Sequence, residues 1–565
     1  MLPEQRERAT ARGSRPQGLP VQPAAPAREA MPETDRAHRT LARAIAAQDW
    51  ERAIEALDAR PVELLCDHFS VVCDFFARVP AESLHGRPAL ALARAFLVGL
   101  PAADGAAPTE PIEPPTLRDR LVPALTQVIS LRVSGRLEEA EAVAAQAQQL
   151  IPEPRYGGRH DDMLALVRFE WGILRLLRGD MLAAAEDFRV AARAARRSGI
   201  DALARGATGD LALVLALRGD LGAARELLDE ADARPERGGR LEQLSRTGRI
   251  VARSLAALAE LDVDAAAKAL DGLDSIDDVR VREELWAFVE IARAQLAVVR
   301  GDTLAALHRL EAQVASHPAT CGRGAYLRAV VGCAQVDLLL ALGQGDRARA
   351  VLRDVPGTIA AMETARGTAS AVRLRRARLE LLTGDAAAAR TRAVSLTHTS
   401  GVHPRYLLDA LLIEAVAEHR VGDAAAALVA LTRAVDLAGS QELVHPFVLV
   451  PSAELREIAA TADVATAAPA TARAMRWLED LLDSPVLRAH GDALPSRIDV
   501  VDLSERECAV LVELASTPSL DLVAARLFVS PNTVKSQVRS LYRKLGVHSR
   551  DDALVVAYRT GVLVG

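Results

Sequence analysis

LVLALRGDLGAARELLDEA, Leu213 to Ala231, states the architecture of most of this chain. An apolar run at helical spacing ends at Gly219, Asp220 follows, and a second helical run rich in Ala, Glu and Arg begins. Glycine accepts the positive φ that ends a helix, and the aspartate after it caps the next helix near the positive end of its dipole. The unit is therefore a helical hairpin. It recurs as LRLLRGDMLAAAEDF, LAVVRGDTLAALHRLEA, LLLALGQGDRARAVL, LELLTGDAAAARTRA and EHRVGDAAAALVALTRAV. The turn glycines are Gly135, Gly179, Gly219, Gly301, Gly345, Gly384 and Gly422, at gaps of 44, 40, 82, 44, 39 and 38. AELDVDAAAKAL has the same shape without glycine and places a hidden turn at Val263-Asp264, which makes the period about 40. An earlier turn is expected at Gln48-Asp49, before WERAIEAL. One hairpin buries only one face, so neighbours must stack into a superhelix.

Composition agrees with an all-α array. Half of the 565 residues are apolar but only 3% are aromatic, as in many short Ala/Leu helices packed closely. Phe169, Trp171, Phe188, Trp286 and Phe288 read as inter-repeat packing, with a concave groove as the alternative. The five cysteines (Cys66, Cys73, Cys321, Cys333 and Cys508) are odd in number and widely spaced. They lack the C-x-x-C form of a zinc or redox site and read as buried thiols in a reducing cytosol, with Cys66 and Cys73 on one helical face. No apolar run is long enough to span a membrane. The Arg-, Pro- and Ala-rich start, residues 1–34, reads as a disordered tail.

A second pattern begins near the end of the chain. SPNTVKSQVRSLYRKLGVHSR, Ser530 to Arg550, has five basic residues and no acidic one, in a protein of net charge −6. On a wheel of 3.6 residues per turn, Val534, Val538, Leu541 and Leu545 share one face. Asn532, Lys535, Ser536, Arg539 and Arg543 share the opposite one, flanked by Thr533, Gln537, Ser540 and Lys544. Ser530 is an N-cap, Pro531 a first helical residue, and Gly546 a stop. Upstream, Ser504 and Glu507 form the ends of a capping box. Ser516 to Ser519 is a turn, and Leu520 to Leu527 a short second helix. A fourth helix is expected over Asp551 to Thr560.

LSERE, AARLFVS, PNTVKSQ, YRKLGVHSR and AYRTGVL, in this order and spacing, resemble the LuxR-type DNA-binding domain over Val500 to Leu563. The resemblance implies four helices, with the third in the DNA major groove, and a homodimer on duplex DNA. Carried over by position, it implies that Lys535, Ser536 and Arg539 reach base edges. It places Asn532, Thr533, Gln537, Arg543, Lys544 and Arg550 near phosphates. The chemistry is suitable, since Arg and Lys donate to guanine and cations along the backbone release counterions. The chain departs from the family at Gln537, where His is usual, and at Thr517, where the turn usually carries Gly. It also departs at Leu520, Asp521 and Leu522, where polar residues usually open the second helix; weaker non-specific affinity is expected from that change.

The repeats resemble tetratricopeptide-type hairpins with a longer period. They are more similar to the array of large MalT-like LuxR regulators, on Val79 to Leu100 and Gln441 to Leu455. Those regulators begin with a P-loop ATPase. Here there is no G-x-x-x-x-G-K-[ST], and no lysine precedes Lys268, so that motor is not expected. His308, His317, His398 and His403 are scattered, and Asp161-Asp162 and Glu283-Glu284 point to different helix faces, so no enzyme, cofactor or metal is expected.

The organisation expected is a tail (1–34), a repeat superhelix (35–459), a linker with an amphipathic helix (460–497) and a four-helix LuxR-type domain (498–565). In the linker, Met475, Leu478 and Leu482 form a stripe suited to a dimer contact. The function expected is a cytoplasmic DNA-binding regulator, controlled by a ligand or protein on the repeats, with RNA polymerase or another protein as a further partner. The alternative is a helical-repeat interaction scaffold with a vestigial DNA-binding domain.

Overall fold

The computed structural model describes residues 33–98, 117–151, 161–234, 240–275, 284–318, 325–355, 366–462, 468–500, 503–559 and 563. The expected tail lies outside the described residues up to residue 32, as does Cys321. The described residues are helical throughout, with no strand among them.

Hairpins follow the Gly-Asp signal closely. Asp161–Arg178 pairs with Met181–Arg197, Asp201–Arg218 with Leu221–Asp232, and Pro404–Val421 with Ala424–Gln441. At Gly422 φ is +97°, and the Asp423 carboxylate accepts the Ala426 amide at 3.0 Å. Asp180 and Asp385 cap their helices in the same way. At the expected Gln48-Asp49 turn, Gln48 takes the positive φ and Asp49 caps Trp50–Ala59.

Two turns differ from the sequence reading. The glycine-free turn is at Leu261-Asp262, two residues before the expected Val263-Asp264. Leu261 adopts φ +62°, and Asp262 accepts from Ala265 N at 3.0 Å. Both aspartates could cap; the one directly after the left-handed residue does so. In LGQGD the stop is Gly343, with φ +70°, rather than Gly345. Gly345 instead opens the helix Gly345–Asp354 and packs tightly: a Cβ there would stand 2.7 Å from Val500 and 2.9 Å from Ile498. Cys66 and Cys73 do not share a helix, because the chain breaks at His68 between Pro61–Asp67 and Phe69–Arg78.

The superhelix closes on itself. A Cβ on Gly179 would lie 2.4 Å from the Tyr326 ring, and one on Gly219 would lie 2.8 Å from Arg405 Cβ. Val444 N donates to the Ala259 carbonyl at 2.7 Å. Arg132 bonds both Glu170 and Glu284. Repeats about 150–185 positions apart in sequence therefore touch, and the interior is packed. Phe169, Trp171, Phe188, Trp286 and Phe288 are all buried, so they serve packing.

The stretch read as a linker lies on the array. Met475, Leu478 and Leu482 of Pro469–Leu482 are buried in the core of the repeats, and Trp477 meets Phe447 edge-on at 5.9 Å. That stripe is consumed within the chain and is not a surface for a second copy. Beyond it, Ala493 N donates to Val448 O at 2.8 Å and Ile498 N to Leu382 O at 2.8 Å. Leu494 and Ile498 are buried. Residues 491–500 thus form a strap that carries the chain to its last domain. No helix among the described residues is long and apolar enough to cross a membrane.

Candidate nucleic-acid interface

The C-terminal four helices are Glu505–Ser516, Leu520–Arg526, Pro531–Leu545 and Arg550–Arg559. They close around Val510, Leu511, Leu514, Val523, Val534, Val538, Leu541, Ala553 and Ala557. This core is separate from that of the repeats.

Local chemistry sets each helix. Ser504 Oγ accepts the Glu507 amide at 3.3 Å, while Glu507 Oε2 accepts the Ser504 amide at 2.7 Å, completing the capping box. Ser530 Oγ accepts from Thr533 N at 3.1 Å, and Gly546, at φ +67°, ends the third helix. Ser549 Oγ accepts from Asp552 N at 3.1 Å and starts the fourth.

The third helix buries Val534, Val538, Leu541 and Leu545, the four residues read as its inner face. Asn532, Thr533, Lys535, Ser536, Arg539 and Arg543 are exposed together, and Gln537 is half-buried beside them. Among the described residues the array covers none of the exposed six, so their polar face is open. Its length of 15 residues is about 22 Å at 1.5 Å per residue, enough to lie in a major groove.

Lys544 and Arg550 are placed differently from the others. Lys544 Nζ donates to Glu507 Oε2 at 2.7 Å, and Arg550 donates to the Leu514 carbonyl. Both tie the domain's own helices together. Burial alone would push the Glu507 carboxyl up. Hydrogen bonds from Lys544, the Ser504 backbone, Ser540 and the Ser504 hydroxyl take it down to about 2. Glu507 was legible as a cap but not as a partner for Lys544, since the two are 37 residues apart.

The turn holds without glycine. Thr517 is buried in an extended conformation, φ −130°, which any residue adopts. Its Oγ1 accepts from Arg526 Nη1 at 2.7 Å, and the same guanidinium reaches Glu513 at 3.1 Å. Arg526 was not singled out in the sequence; no periodic signal marks it. The left-handed position falls instead at Phe528, φ +54°, a residue 96% exposed just before Pro531–Leu545. Leu522 is 55% exposed on the second helix, whereas Leu520 is half-buried and packs against the domain core.

The first helix of the domain passes near Gly345–Asp354. Burial and then the Asp346 carboxylate push the Cys508 thiol up, although the two residues lie far apart in sequence.

Three short helices bracing a longer one whose polar face is open define a helix-turn-helix DNA-binding domain. Residues 501–557 match the family described as "Bacterial regulatory proteins, luxR family", and the C-terminal domain is a luxR-family domain. The chain is 46% identical over 61 residues to the probable transcriptional regulatory protein NarL of Mycobacterium tuberculosis, covering 11% of this chain and 28% of that protein. It is 46% identical over 56 residues to a nitrate/nitrite response regulator protein homolog of Haemophilus influenzae, covering 10% of this chain and 27% of that protein. It is 39% identical over 72 residues to the HTH-type transcriptional regulator MalT of Yersinia enterocolitica, covering 13% of this chain and 8% of that protein. The chain therefore spans little more than a quarter of the first two relatives.

Proposed function

We propose that this chain regulates transcription by binding a site in duplex DNA, with Lys535, Ser536 and Arg539 reading base edges in the major groove. Asn532, Thr533, Gln537 and Arg543 hold phosphates, and Lys544 and Arg550 contribute positive potential while bracing the domain. Two copies bind together, and a ligand or protein on the repeat array controls their presentation. RNA polymerase is a partner suited to such a regulator. The chain acts by binding and not by catalysis.

The observation that carries this reading is the division of the helix Pro531–Leu545: its apolar face is core, and its polar face is left open by the described residues of the array. The strap supports control by the repeats, because residues 491–500 are bonded to the array directly before the DNA-binding domain. The test is selection of genomic fragments by the full chain, beside the Lys535→Ala, Arg539→Ala double variant. Preferred fragments that the double variant no longer selects support the reading. Absence of any preferred fragment would leave the repeats as an interaction scaffold.

A further inference from the structure

One short helix belongs to two cores. Residues 33–98 pack around a core of their own, with Leu41, Ile54, Leu57, Phe75 and Leu90 in it, apart from the core of the repeats. Pro61–Asp67 gives Leu64 to that small core, while its Val62 and Cys66 are buried in the core of the repeats. Val62 and Cys66 are 2% and 1% exposed. Four positions apart, they share one face of the helix, and Leu64, midway between them, falls on the opposite side.

The seat of this helix is the inside of the array. Pro61–Asp67 packs against Asp161–Arg178, Asp201–Arg218 and Arg240–Ala259, the first helices of three successive hairpins. First helices line the interior: Asp201–Arg218 is buried without a break from Ala202 to Ala216, whereas its partner Leu221–Asp232 buries only Leu221, Ala224, Leu228 and Ala231. The concave side of stacked hairpins is the surface such arrays use for binding. Here the chain's own helix is seated on it. The seat is also lightly held. Its anchor is two small side chains, which bury little apolar area. Around them gather carboxylates: Glu63 takes Arg60 at 2.7 Å, and Glu170 of the groove takes Arg132. Burial, and then the Asp67, Glu63 and Glu170 carboxylates, push the Cys66 thiol up. Buried ion pairs return little net stability once desolvation is counted.

We propose that Pro61–Asp67 is an internal stopper of the array's concave groove, and that the groove takes a helical segment of a partner protein in its place. The partner segment repeats the stopper's chemistry: small apolar residues four apart, each followed directly by a carboxylate, as in Val62-Glu63 and Cys66-Asp67. This rests on the reading that a ligand or protein on the repeats controls the chain, and it names the partner's class and its seat. The position suits control. Arg240–Ala259 supports the stopper, and the carbonyl of its last residue, Ala259, accepts from Val444 N at 2.7 Å. Val444 leads into the short turn His445–Leu449, whose Val448 carbonyl holds the strap through Ala493 N. One helix thus links the groove to the residues that carry the DNA-binding domain.

The experiment labels thiols of the native full chain with a chromogenic disulfide reagent. One version keeps Cys66 and has serine at the other four cysteines; a second keeps Cys333, which is 4% exposed within the array. Rates are taken relative to those of the unfolded thiols. A stapled helical peptide of residues 60–68, carrying Cys66→Ala, is the competitor. Cys66 is expected to react more than about tenfold faster than Cys333, with a weaker dependence on urea below the unfolding transition. The peptide is expected to raise the Cys66 rate further and saturably, by holding the groove in its vacated state, and to leave Cys333 unchanged. The same peptide with Val62→Lys is expected to do nothing. Equal rates and equal urea slopes for the two thiols overturn the proposal, since the stopper would then leave only when the whole array unfolds. So does a Cys66 rate that the peptide leaves unchanged, because the groove would then have no affinity for a free helix. Should the serine replacements lose their cooperative melt, hydrogen exchange of residues 62–67 in the unsubstituted chain, with and without the peptide, decides by the same criteria. DNA affinity measured with and without the peptide separates the two readings: faster Cys66 labelling at unchanged DNA affinity keeps the groove and removes its control over DNA.

Discussion

Lys544 Nζ stands 2.7 Å from Glu507 Oε2, so a cation of the recognition helix is spent on the cap of the first helix. Arg543, one residue earlier, is exposed and bonds only weakly, to Ser540 at 3.4 Å. Adjacent basic residues therefore do different work. One faces outward, and the other locks two helices in place.

This difference is measurable in salt. Arg543→Ala is expected to weaken binding to all DNA sequences alike and to lower the slope of log K against log salt by about 1. Lys544→Ala is expected to change the slope less and to destabilise the C-terminal domain by about 1–3 kcal/mol, because Glu507 is left buried without its partner. Fluorescence anisotropy against salt, beside hydrogen–deuterium exchange of residues 503–559, checks both.

The side chains proposed to read bases should show the opposite signature. Lys535→Ala and Arg539→Ala are each expected to cost about 1–3 kcal/mol of specific binding, with little change on unrelated DNA. Competition between a selected fragment and a scrambled one measures this. Equal losses on both would assign these side chains to phosphates.

Acid should loosen the C-terminal domain through Glu507. Its carboxyl is at about 2 in the fold and near 4.3 in an unfolded chain. The stabilisation is therefore complete above about pH 4.3 and is lost as pH falls towards 2. Glu507→Gln should be less stable than wild type at neutral pH and should show a flatter decline across that window. Hydrogen exchange of Glu505–Ser516, corrected for intrinsic rates, follows it.

Closure of the superhelix can be isolated with two glycines. Gly179 and Gly422 both have positive φ, +82° and +97°, but only Gly179 has a neighbour, Tyr326, within reach of a Cβ. Gly422→Ala should cost about 1 kcal/mol, the backbone term alone. Gly179→Ala should cost about 1–3 kcal/mol more, because the ring must move. Urea melts read by tryptophan fluorescence compare the two, and equal costs would mean that the inter-turn contact adds nothing.

Much of this molecule is written in local spacing. The Gly-Asp turns, the Asp caps, the capping box of Ser504 and Glu507 and the buried stripe Val534, Val538, Leu541, Leu545 all depend on residues one to four apart. Helical geometry decides them before any long-range contact forms, so the all-α class, the hairpins and the two faces of the recognition helix were determined by the sequence alone. Local spacing was ambiguous where two residues could play one part, as with Gly343 and Gly345 or Asp262 and Asp264, and it did not mark the break at His68 that separates Cys66 from Cys73.

Tertiary structure decided the rest. Tyr326 against Gly179, Val444 on Ala259, Arg526 on Thr517 and Lys544 on Glu507 join residues from 9 to about 185 positions apart. No periodicity encodes such pairs. The inter-turn ones follow from small rotations between hairpins, summed over about four repeats, which bring one turn of the superhelix down on the next. That summation buried Phe169, Trp171, Phe188, Trp286 and Phe288 and bound the supposed linker to the array.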